Sequence, residues 1–307
     1  MQQRQYLISQ SMDNSSQRPD WLKVKLSTNS SFKRIKELNQ RLNLRTVCQE
    51  AACPNIGTCW SGLALTYILL GKNCSRSCKF CNVSKADLDV PDPNEPERVA
   101  QAIRELGLDY VVLTSVTRDD LKDKGLSGFI QTVFLIKQQS PHVKIELLIP
   151  DFANSPQLLE RIAYSGAEVI GHDIETVRGL YPEIRPDSSY DKSLEVLKSL
   201  KDFNHAIITK SALLIGLGEN QTQIVKTMND LRQVSVDILY LGQYLSPSKA
   251  HWPVKKYYKP EEFAKLKKSA ESLGFRVVVS EPLARSSWRA KETYNKAHSA
   301  YCLSSGI

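Results

Sequence analysis

The stretch CSRSCKFC, residues 74–81, carries three cysteines that are separated by three and then by two residues. It follows the apolar run LALTYILLG, which predicts a β-strand, and it precedes a long series of alternating helix-like and strand-like segments. A second group of three cysteines lies just upstream in CQEAACPNIGTC, residues 48–59. So dense a set of soft thiols in polar surroundings predicts metal centres rather than packing in a hydrophobic core.

The chain beyond residue 60 alternates between apolar runs and amphipathic segments, and we count seven predicted strands. Several runs are apolar at consecutive positions, as expected for parallel strands that are covered on both faces. Such βα repeats predict an α/β fold, either a partial or near-complete parallel (β/α) barrel of about six to seven βα units or an open doubly wound sheet. We expect an N-terminal extension (1–47), a cysteine loop (48–60), the barrel (61–280) and a C-terminal segment (281–307), with both extensions closing over the active face.

Polar motifs follow several of the predicted strands. They are the downstream cysteines, TSVTRDD at 114–120, HDIET at 172–176 and GLGE at 216–219. In parallel α/β folds, ligands bind at the carboxyl ends of the strands. The motifs therefore predict one active face at that rim.

Charge and hydropathy limit the classes of function. The formal net charge is +8 and the pI is near 9.0, which indicates an anionic partner. The basic residues are spread along the whole chain, so an acidic protein or a small anionic cofactor is favoured over nucleic acid. No apolar run approaches the roughly 20 residues of a membrane span, and the N-terminus does not resemble a secretory signal. We expect a cytoplasmic protein without nucleic-acid or membrane partners.

The odd number of cysteines, seven, argues against a complete set of disulfides, and it predicts free thiols or metal ligands. Structural zinc would require a fourth ligand for each group, and only five histidines and Cys302 remain, all far along the chain. A cubane iron–sulfur cluster needs one ligand per iron, so three cysteines leave one iron open. The sequence favours iron–sulfur clusters over zinc.

The C-x3-C-x2-C spacing, with Phe80 directly before the last cysteine, resembles the signature of the radical S-adenosylmethionine (SAM) superfamily. The resemblance implies that Cys74, Cys78 and Cys81 hold a [4Fe–4S] cluster. Its open iron binds the amino and carboxylate groups of SAM, and electron transfer from the cluster releases a 5′-deoxyadenosyl radical.

The upstream C-x4-C-x5-C group resembles the auxiliary-cluster motif of the lipoyl synthase family. Similarity to that family continues through YVVLTSVTRDDL, IETV, GLGE and RSSW, from about Trp21 to about Ala290. The resemblance implies a second [4Fe–4S] cluster held by Cys48, Cys53 and Cys59, with Ser286 as the fourth ligand.

The same resemblance implies an activity. The enzyme inserts sulfur at the sixth and eighth carbons of an octanoyl-lysine, consumes two SAM molecules and takes the sulfur from the auxiliary cluster. The implied partners are octanoylated lipoyl carrier domains, as in 2-oxoacid dehydrogenase complexes and the glycine cleavage H protein, and an electron donor such as ferredoxin or flavodoxin.

The resemblance also places further rim residues at the pocket for SAM and substrate. These candidates are Phe80, Thr114, Ser115, Glu175, Arg185, Lys210, Gly216, Gly218 and Glu219. Several of these motifs also have an ordinary structural interpretation. GLGE is typical of a strand-to-helix turn, Glu175 and Asp119 of rim carboxylates, and RSSW of a capped turn.

Four positions depart from the family pattern. The family commonly has asparagines where this chain has Gly171 and Asp173, and glycines where it has Asp187 and Ala212. These departures put SAM affinity and substrate identity in question, although no cluster ligand is lost. Cys302 lies outside every motif, and we predict that it is not a ligand.

Two other functions compete with this reading. One is another radical SAM sulfur-insertion enzyme, such as a biotin-synthase-like protein, which would not carry the upstream cysteine group and RSS here. The other is an iron–sulfur carrier, which would not need seven strands with a polar rim.

Overall fold

A computed structural model describes residues 18–24 and 28–305, with side chains described as far as residue 300. Its centre is one sheet of seven parallel strands in which each strand pairs with the next along the chain. This sequential order confirms the partial (β/α) barrel, because a doubly wound sheet would reverse its strand order part-way across. The strands are β1 Thr66–Leu69, β2 Tyr110–Ser115, β3 Lys144–Leu148, β4 Val169–Gly171, β5 Ile208–Ile215, β6 Ile238–Gln243 and β7 Val277–Ser280.

Helices precede, connect and follow these strands. Before β1 lie α1 Ser30–Arg41, α2 Val47–Glu50 and α3 Ile56–Ser61. The connecting helices are α4 Glu95–Leu106, α5 Leu126–Gln139, α6 Pro156–Ala163, α7 Tyr181–Ile184, α8 Tyr190–Phe203, α9 Gln221–Gln233 and α10 Pro260–Ser272, and α11 Ala290–Ser305 follows β7. Within the described residues, no helix combines the length and apolar character that a membrane span requires.

Helix α4 illustrates how the sequence sets these connections. Its buried residues Val99, Ile103 and Leu106 recur at helical spacing and give the helix one apolar face. The helix ends where Gly107 adopts a left-handed φ of 66°, a conformation that glycine takes without steric cost. The buried face of α4 belongs to the same core cluster as Phe129 of α5.

The C-terminal helix covers part of the inner face of the sheet. Tyr294 of α11 packs against Tyr110 of β2, with ring centroids 5.7 Å apart. The hydroxyl of Tyr240 on β6 donates a hydrogen bond to the carbonyl oxygen of Trp288, at 2.7 Å. These contacts fix the C-terminal segment on the barrel, so residues 284–289 are held at the sheet.

A buried ion pair occupies the interior of the sheet. Lys210 Nζ lies 2.6 Å from Glu146 Oε1, and Tyr110 donates its hydroxyl to Glu146 Oε2 at 2.7 Å. Lys210 is 1% exposed and stands beside Gly171, where an added Cβ would lie 3.3 Å from the Lys210 carbonyl oxygen. The structure therefore pairs Lys210, one of the SAM-pocket candidates, with a carboxylate of the core.

Candidate active site

The downstream cysteine group (Cys74, Cys78 and Cys81) lies on the irregular connection between β1 and α4, and all three side chains are half-buried. Its backbone is anchored at two points. The Cys74 N–H donates to the Ser84 carbonyl at 2.8 Å, and the Ser75 N–H donates to the Thr117 carbonyl at 2.9 Å. The second bond ties the loop to the segment that follows β2, as the rim prediction requires.

Arg76 fastens the same loop to two strand ends. Its Nε donates to Asp119 Oδ2 at 2.8 Å, and its Nη1 donates to Asp151 Oδ2 at 2.6 Å. Burial alone raises the pKa of Asp151, but the hydrogen bonds and charge of Arg76 outweigh burial and lower that pKa to about 2. Asp119 belongs to the predicted rim motif TSVTRDD, whereas the sequence pattern singled out neither Arg76 nor Asp151 as a site residue. An arginine inside the cysteine loop was the available signal.

Asp187 makes a second clamp on this loop. Both the N–H and the hydroxyl of Ser77 donate to Asp187 Oδ2, at 2.7 and 2.6 Å. A glycine, which the family pattern favours at this position, has no side chain to accept these bonds. This departure therefore has a structural consequence at the cysteine loop.

Arg185 is the cation beside the downstream group. It is 9% exposed, and its Nη1 donates to the Asp173 carbonyl at 3.0 Å and to the Tyr181 hydroxyl at 2.8 Å. Its Nε is buried without a hydrogen-bond partner. Burial raises the pKa of the Cys78 thiol, and the neighbouring Arg185 opposes that rise by stabilising the thiolate.

The upstream cysteine group (Cys48, Cys53 and Cys59) lies on the two short helices α2 and α3 and the turn between them. The turn is closed because the Cys53 N–H donates to the Cys48 carbonyl at 3.0 Å. All three cysteines line one small cavity of about 20 Å³. Burial raises the pKa of Cys48 to about 12 and that of Cys59 to about 11, so these thiols need a cation or a metal to ionise.

The C-terminal segment forms the opposite wall of this cavity through Arg285, Ser287 and Trp288. Asn55, just before α3, secures the segment by donating its Nδ2–H to the Leu283 carbonyl at 2.7 Å. The indole nitrogen of Trp288 is buried without a hydrogen-bond partner. The fold thus brings together two parts of the chain that are more than 200 residues apart.

The two serines of RSSW face different neighbours. Ser287 lines the cavity of the upstream cysteines, whereas the Ser286 hydroxyl donates to Asp173 Oδ1 at 3.1 Å. Asp173 follows β4 and is 8% exposed. Ligation by Ser286 stays a prediction. The structure places Ser287 in the lining of the cavity that the upstream cysteines share.

Glu175 lies near Cys78 and Cys81 of the downstream group and also interacts with Arg285, which lines the upstream cavity. Its backbone is strained, with a φ of 62°. The Glu175 N–H donates to the Ala212 carbonyl, and the Glu175 carbonyl accepts from the Leu214 N–H, each at 2.9 Å. Burial and the nearby Asp173 raise the pKa of its carboxyl, and Arg185 and Arg285 oppose that rise. Glu175 is therefore surrounded by charged residues of both signs, namely Asp173, Arg185 and Arg285.

The remaining candidates lie at strand ends with mixed roles. Phe80 packs in an apolar cluster with Leu217 and Tyr244. Thr114 donates its hydroxyl to the Leu148 carbonyl at 2.9 Å, while the Ser115 hydroxyl is buried without a partner. Thr114 therefore fastens neighbouring strands, whereas Ser115 keeps a free polar group at the rim.

The GLGE turn after β5 is stabilised by its own glutamate. Glu219 accepts hydrogen bonds from the N–H groups of Gly216 at 2.6 Å, Leu217 at 2.9 Å and Gly218 at 3.1 Å. A Cβ on Gly216 would lie 2.2 Å from Gln243 Nε2, so only glycine fits. The turn motif accordingly has a clear structural role, and the carboxylate of Glu219 is engaged within it.

The donor set suits iron–sulfur clusters better than a single ion. In the described part of the chain, no three His, Cys, Asp or Glu side chains converge closely enough to hold one metal ion. The six cysteines of the two groups are free thiols, and buried N–H groups of Trp60, Trp288 and Arg185 have no partners. Such groups suit hydrogen bonding to cluster or cysteine sulfur. Cys302 lies outside the residues whose side chains are described.

Comparison with known proteins identifies the family. Residues 68–231 match the family model described as the Radical SAM superfamily, and residues 2–53 match the N-terminal domain of lipoyl synthase. The chain is 46% identical over 283 residues to a lipoyl synthase from Alkaliphilus metalliredigens, covering 92% of this chain and 98% of that one. The chain belongs to the lipoyl synthase family.

A second relative and two solved structures agree with this family and fold. A lipoyl synthase from Caldicellulosiruptor saccharolyticus is 44% identical, covering 90% of this chain and 97% of that one. The FeFe-hydrogenase maturase HydG from Carboxydothermus hydrogenoformans matches with a TM-score of 0.55 and 16% identity, covering 86% of this chain and 69% of that one. Methylornithine synthase matches with a TM-score of 0.52 and 13% identity, covering 83% and 79%. At these identities the structures support the fold alone.

Family membership confirms the expected cofactors, which are SAM and [4Fe–4S] clusters. It likewise confirms the prediction of a radical SAM enzyme that inserts sulfur, in place of an iron–sulfur carrier.

Proposed function

We propose that this chain converts a protein-bound octanoyl group into a lipoyl group, replacing one hydrogen at the sixth carbon and one at the eighth carbon with sulfur. The observation that carries the proposal is the pair of cysteine groups in a radical SAM barrel, with the charged residues Glu175, Arg185 and Arg285 close to them. A single group would serve SAM cleavage alone, whereas sulfur insertion needs a second centre as the sulfur source.

The residues have separate tasks in this proposal. Cys74, Cys78 and Cys81 hold the SAM-binding cluster, and Cys48, Cys53 and Cys59 hold the auxiliary cluster. When bound, the first cluster supplies the electron that cleaves SAM to the 5′-deoxyadenosyl radical, and the second supplies the sulfur. Unactivated C–H bonds offer no proton that an acid or base could transfer, so the chemistry comes from the cofactor. The protein contributes by orienting the substrate and excluding water.

The charged residues between the groups fit the binding of SAM. Arg185 is a buried cation beside Cys78, and cations of this kind pair with carboxylates. Glu175 offers a carboxylate close by, and carboxylates bind ammonium and hydroxyl groups. We assign the methionine carboxylate of SAM to Arg185 and the polar groups at its other end to Glu175.

The partners follow from the same function. The net charge of +8 favours encounter with acidic lipoyl carrier domains, such as those of 2-oxoacid dehydrogenase complexes and the glycine cleavage H protein. An electron donor of the ferredoxin or flavodoxin type supplies the electrons in the cytoplasm.

The deciding experiment is anaerobic turnover of an octanoylated carrier domain with reconstituted enzyme, SAM and dithionite. Mass spectrometry is expected to show two hydrogens replaced by two sulfurs on each octanoyl chain. Deoxyadenosine formation without sulfur on the chain would instead favour another radical SAM reaction. A Cys53→Ala variant is the matched control, because it removes one auxiliary ligand and leaves the downstream group intact.

A further inference from the structure

The upstream cysteine cavity has a cationic wall. Arg285 lines it together with the three cysteines, and Arg289 lies four residues further along the same segment, near Cys59. Each arginine is charged at any physiological pH. The wall therefore brings positive charge to thiolates that burial otherwise disfavours.

Arg285 keeps its charge largely uncompensated. Within the described residues its guanidinium forms no ion pair, and its hydrogen bond is from Nη1 to the neighbouring Ala284 carbonyl at 2.7 Å. The guanidinium rests against Gly242 of β6, where an added Cβ would lie 3.4 Å from Nη1. The charge is thus held in place by backbone, and carboxylates do not neutralise it by direct contact.

The downstream group has a different environment. Its buried cation, Arg185, faces Glu175, and both residues influence Cys78. The clamp residue Arg76 is bonded to two carboxylates. Lys85 Nζ also lies 3.1 Å from the Cys78 carbonyl, and Glu175 interacts with Arg285 as well as with Arg185. The two groups therefore differ in direct pairing: carboxylates bond to Arg76, whereas in the described residues no carboxylate bonds to Arg285.

We propose that Arg285, assisted by Arg289, raises the reduction potential of the auxiliary cluster relative to that of the SAM-binding cluster. Three thiolates and a cubane carry net negative charge, and a fixed cation stabilises the state with one more electron. This inference rests on the proposed function, since it assumes that a cluster binds the upstream group. In this proposal Arg285 acts as a positioning residue, through the effect of its charge on the auxiliary cluster.

The test is an EPR-monitored redox titration of the reconstituted holoenzyme, with and without SAM to mark the signal of the SAM-binding cluster. Arg285→Gln is expected to lower the equilibrium constant for one-electron reduction of the auxiliary cluster about tenfold, equivalent to about 59 mV. Arg289→Gln should have a smaller effect because Arg289 is exposed and screened by salt. Arg285→Lys should retain most of the wild-type potential, since it keeps the charge.

Arg104→Gln is the matched control, because Arg104 lies at the end of α4 and bonds to Gln139 on the outer surface. It should leave both potentials unchanged. An unchanged auxiliary potential in Arg285→Gln overturns the inference, as does an equal fall in Arg285→Lys and Arg285→Gln. If Arg285→Gln fails to assemble the cluster, a lowered potential in Arg289→Gln supports the inference and an unchanged one overturns it.

This outcome is separable from that of the proposed function. If the enzyme forms lipoyl groups but Arg285→Gln leaves the potential of the auxiliary cluster unchanged, only the inference about Arg285 is overturned. A shifted potential without any sulfur insertion would overturn the proposed function and leave the electrostatic role of Arg285 standing.

Discussion

The two cysteine groups are built in opposite ways. The downstream group lies on an irregular loop, and the barrel clamps it through Arg76, which bonds to the ends of β2 and β3. The upstream group lies on short helices, and its cavity is completed by Arg285, Ser287 and Trp288 near the other end of the chain. One site is therefore made rigid by the sheet beneath it, whereas the other depends on a segment that folds back over it.

This difference matches the two proposed tasks. A cluster that binds SAM repeatedly benefits from a fixed loop with one open corner. A cluster that gives up sulfur has to be opened and rebuilt, and a wall supplied by a separate segment suits that requirement.

The most severe test of the comparison removes one thiol from each group. Cys78→Ala should reduce SAM cleavage to the background level, because the cluster that binds SAM loses a ligand. Cys53→Ala should keep SAM cleavage yet give no lipoyl product. Anaerobic measurement of 5′-deoxyadenosine and of lipoylated carrier distinguishes the two, and equal SAM cleavage in both variants would show that the assignment of the groups is wrong.

The second test concerns the wall of the upstream group. Ser286→Ala is expected to lower lipoyl formation at least about tenfold, in the range found when groups around a metal site are lost. Ser287→Ala should retain substantial activity. Both variants should keep deoxyadenosine formation, because the downstream group is untouched.

The two serine variants can be distinguished because the serines have different neighbours: Ser287 lines the cavity, whereas Ser286 bonds to Asp173. A larger loss in Ser287→Ala than in Ser286→Ala would transfer the ligand role to Ser287. Full activity in both would remove serine ligation from the site.

The third test removes the ion pairs by which Arg76 holds the loop of the downstream group. Arg76→Gln leaves the buried Asp151 without its cation, so we expect a loss of about 3 kcal/mol in the free energy of unfolding. Urea denaturation under anaerobic conditions measures this loss. The rate at which a chelator removes iron should rise for the SAM-binding cluster and stay unchanged for the auxiliary cluster.

An equal rise for both clusters would show that Arg76 stabilises the whole rim rather than one loop. Arg178→Gln is a suitable control for the loss of one arginine, because its ion pair with Asp191 is exposed.

The mildest test addresses the Asp187 clamp. Asp187→Gly removes the acceptor of two hydrogen bonds from Ser77 at an exposed site, so the expected loss of stability is about 1 kcal/mol. Ser77→Ala removes the hydroxyl bond but keeps the N–H bond, and its effect should be smaller. Thermal unfolding measures both. A larger effect of Ser77→Ala than of Asp187→Gly would show that the hydroxyl, and not the clamp as a whole, stabilises the loop.

Much of this architecture was predictable because it depends on local pattern. Consecutive apolar residues in β2 and the spaced apolar positions of α4 specify buried strands and amphipathic helices wherever they occur. The spacing of Cys74, Cys78 and Cys81 belongs to a single loop, so the sequence indicates a shared centre before any fold is known. The rim position of TSVTRDD and HDIET follows from their place after strands.

The sequence by itself left the long-range partners undetermined, because side chains more than 40 residues apart meet only through the path of the chain. Arg76 bonds to Asp119 and Asp151, Lys210 pairs with Glu146 inside the sheet, and Arg285 lines the upstream cavity. Tertiary structure decided each of these pairings, since burying a charge is costly and the fold supplies the compensating partner or leaves the charge for a bound group.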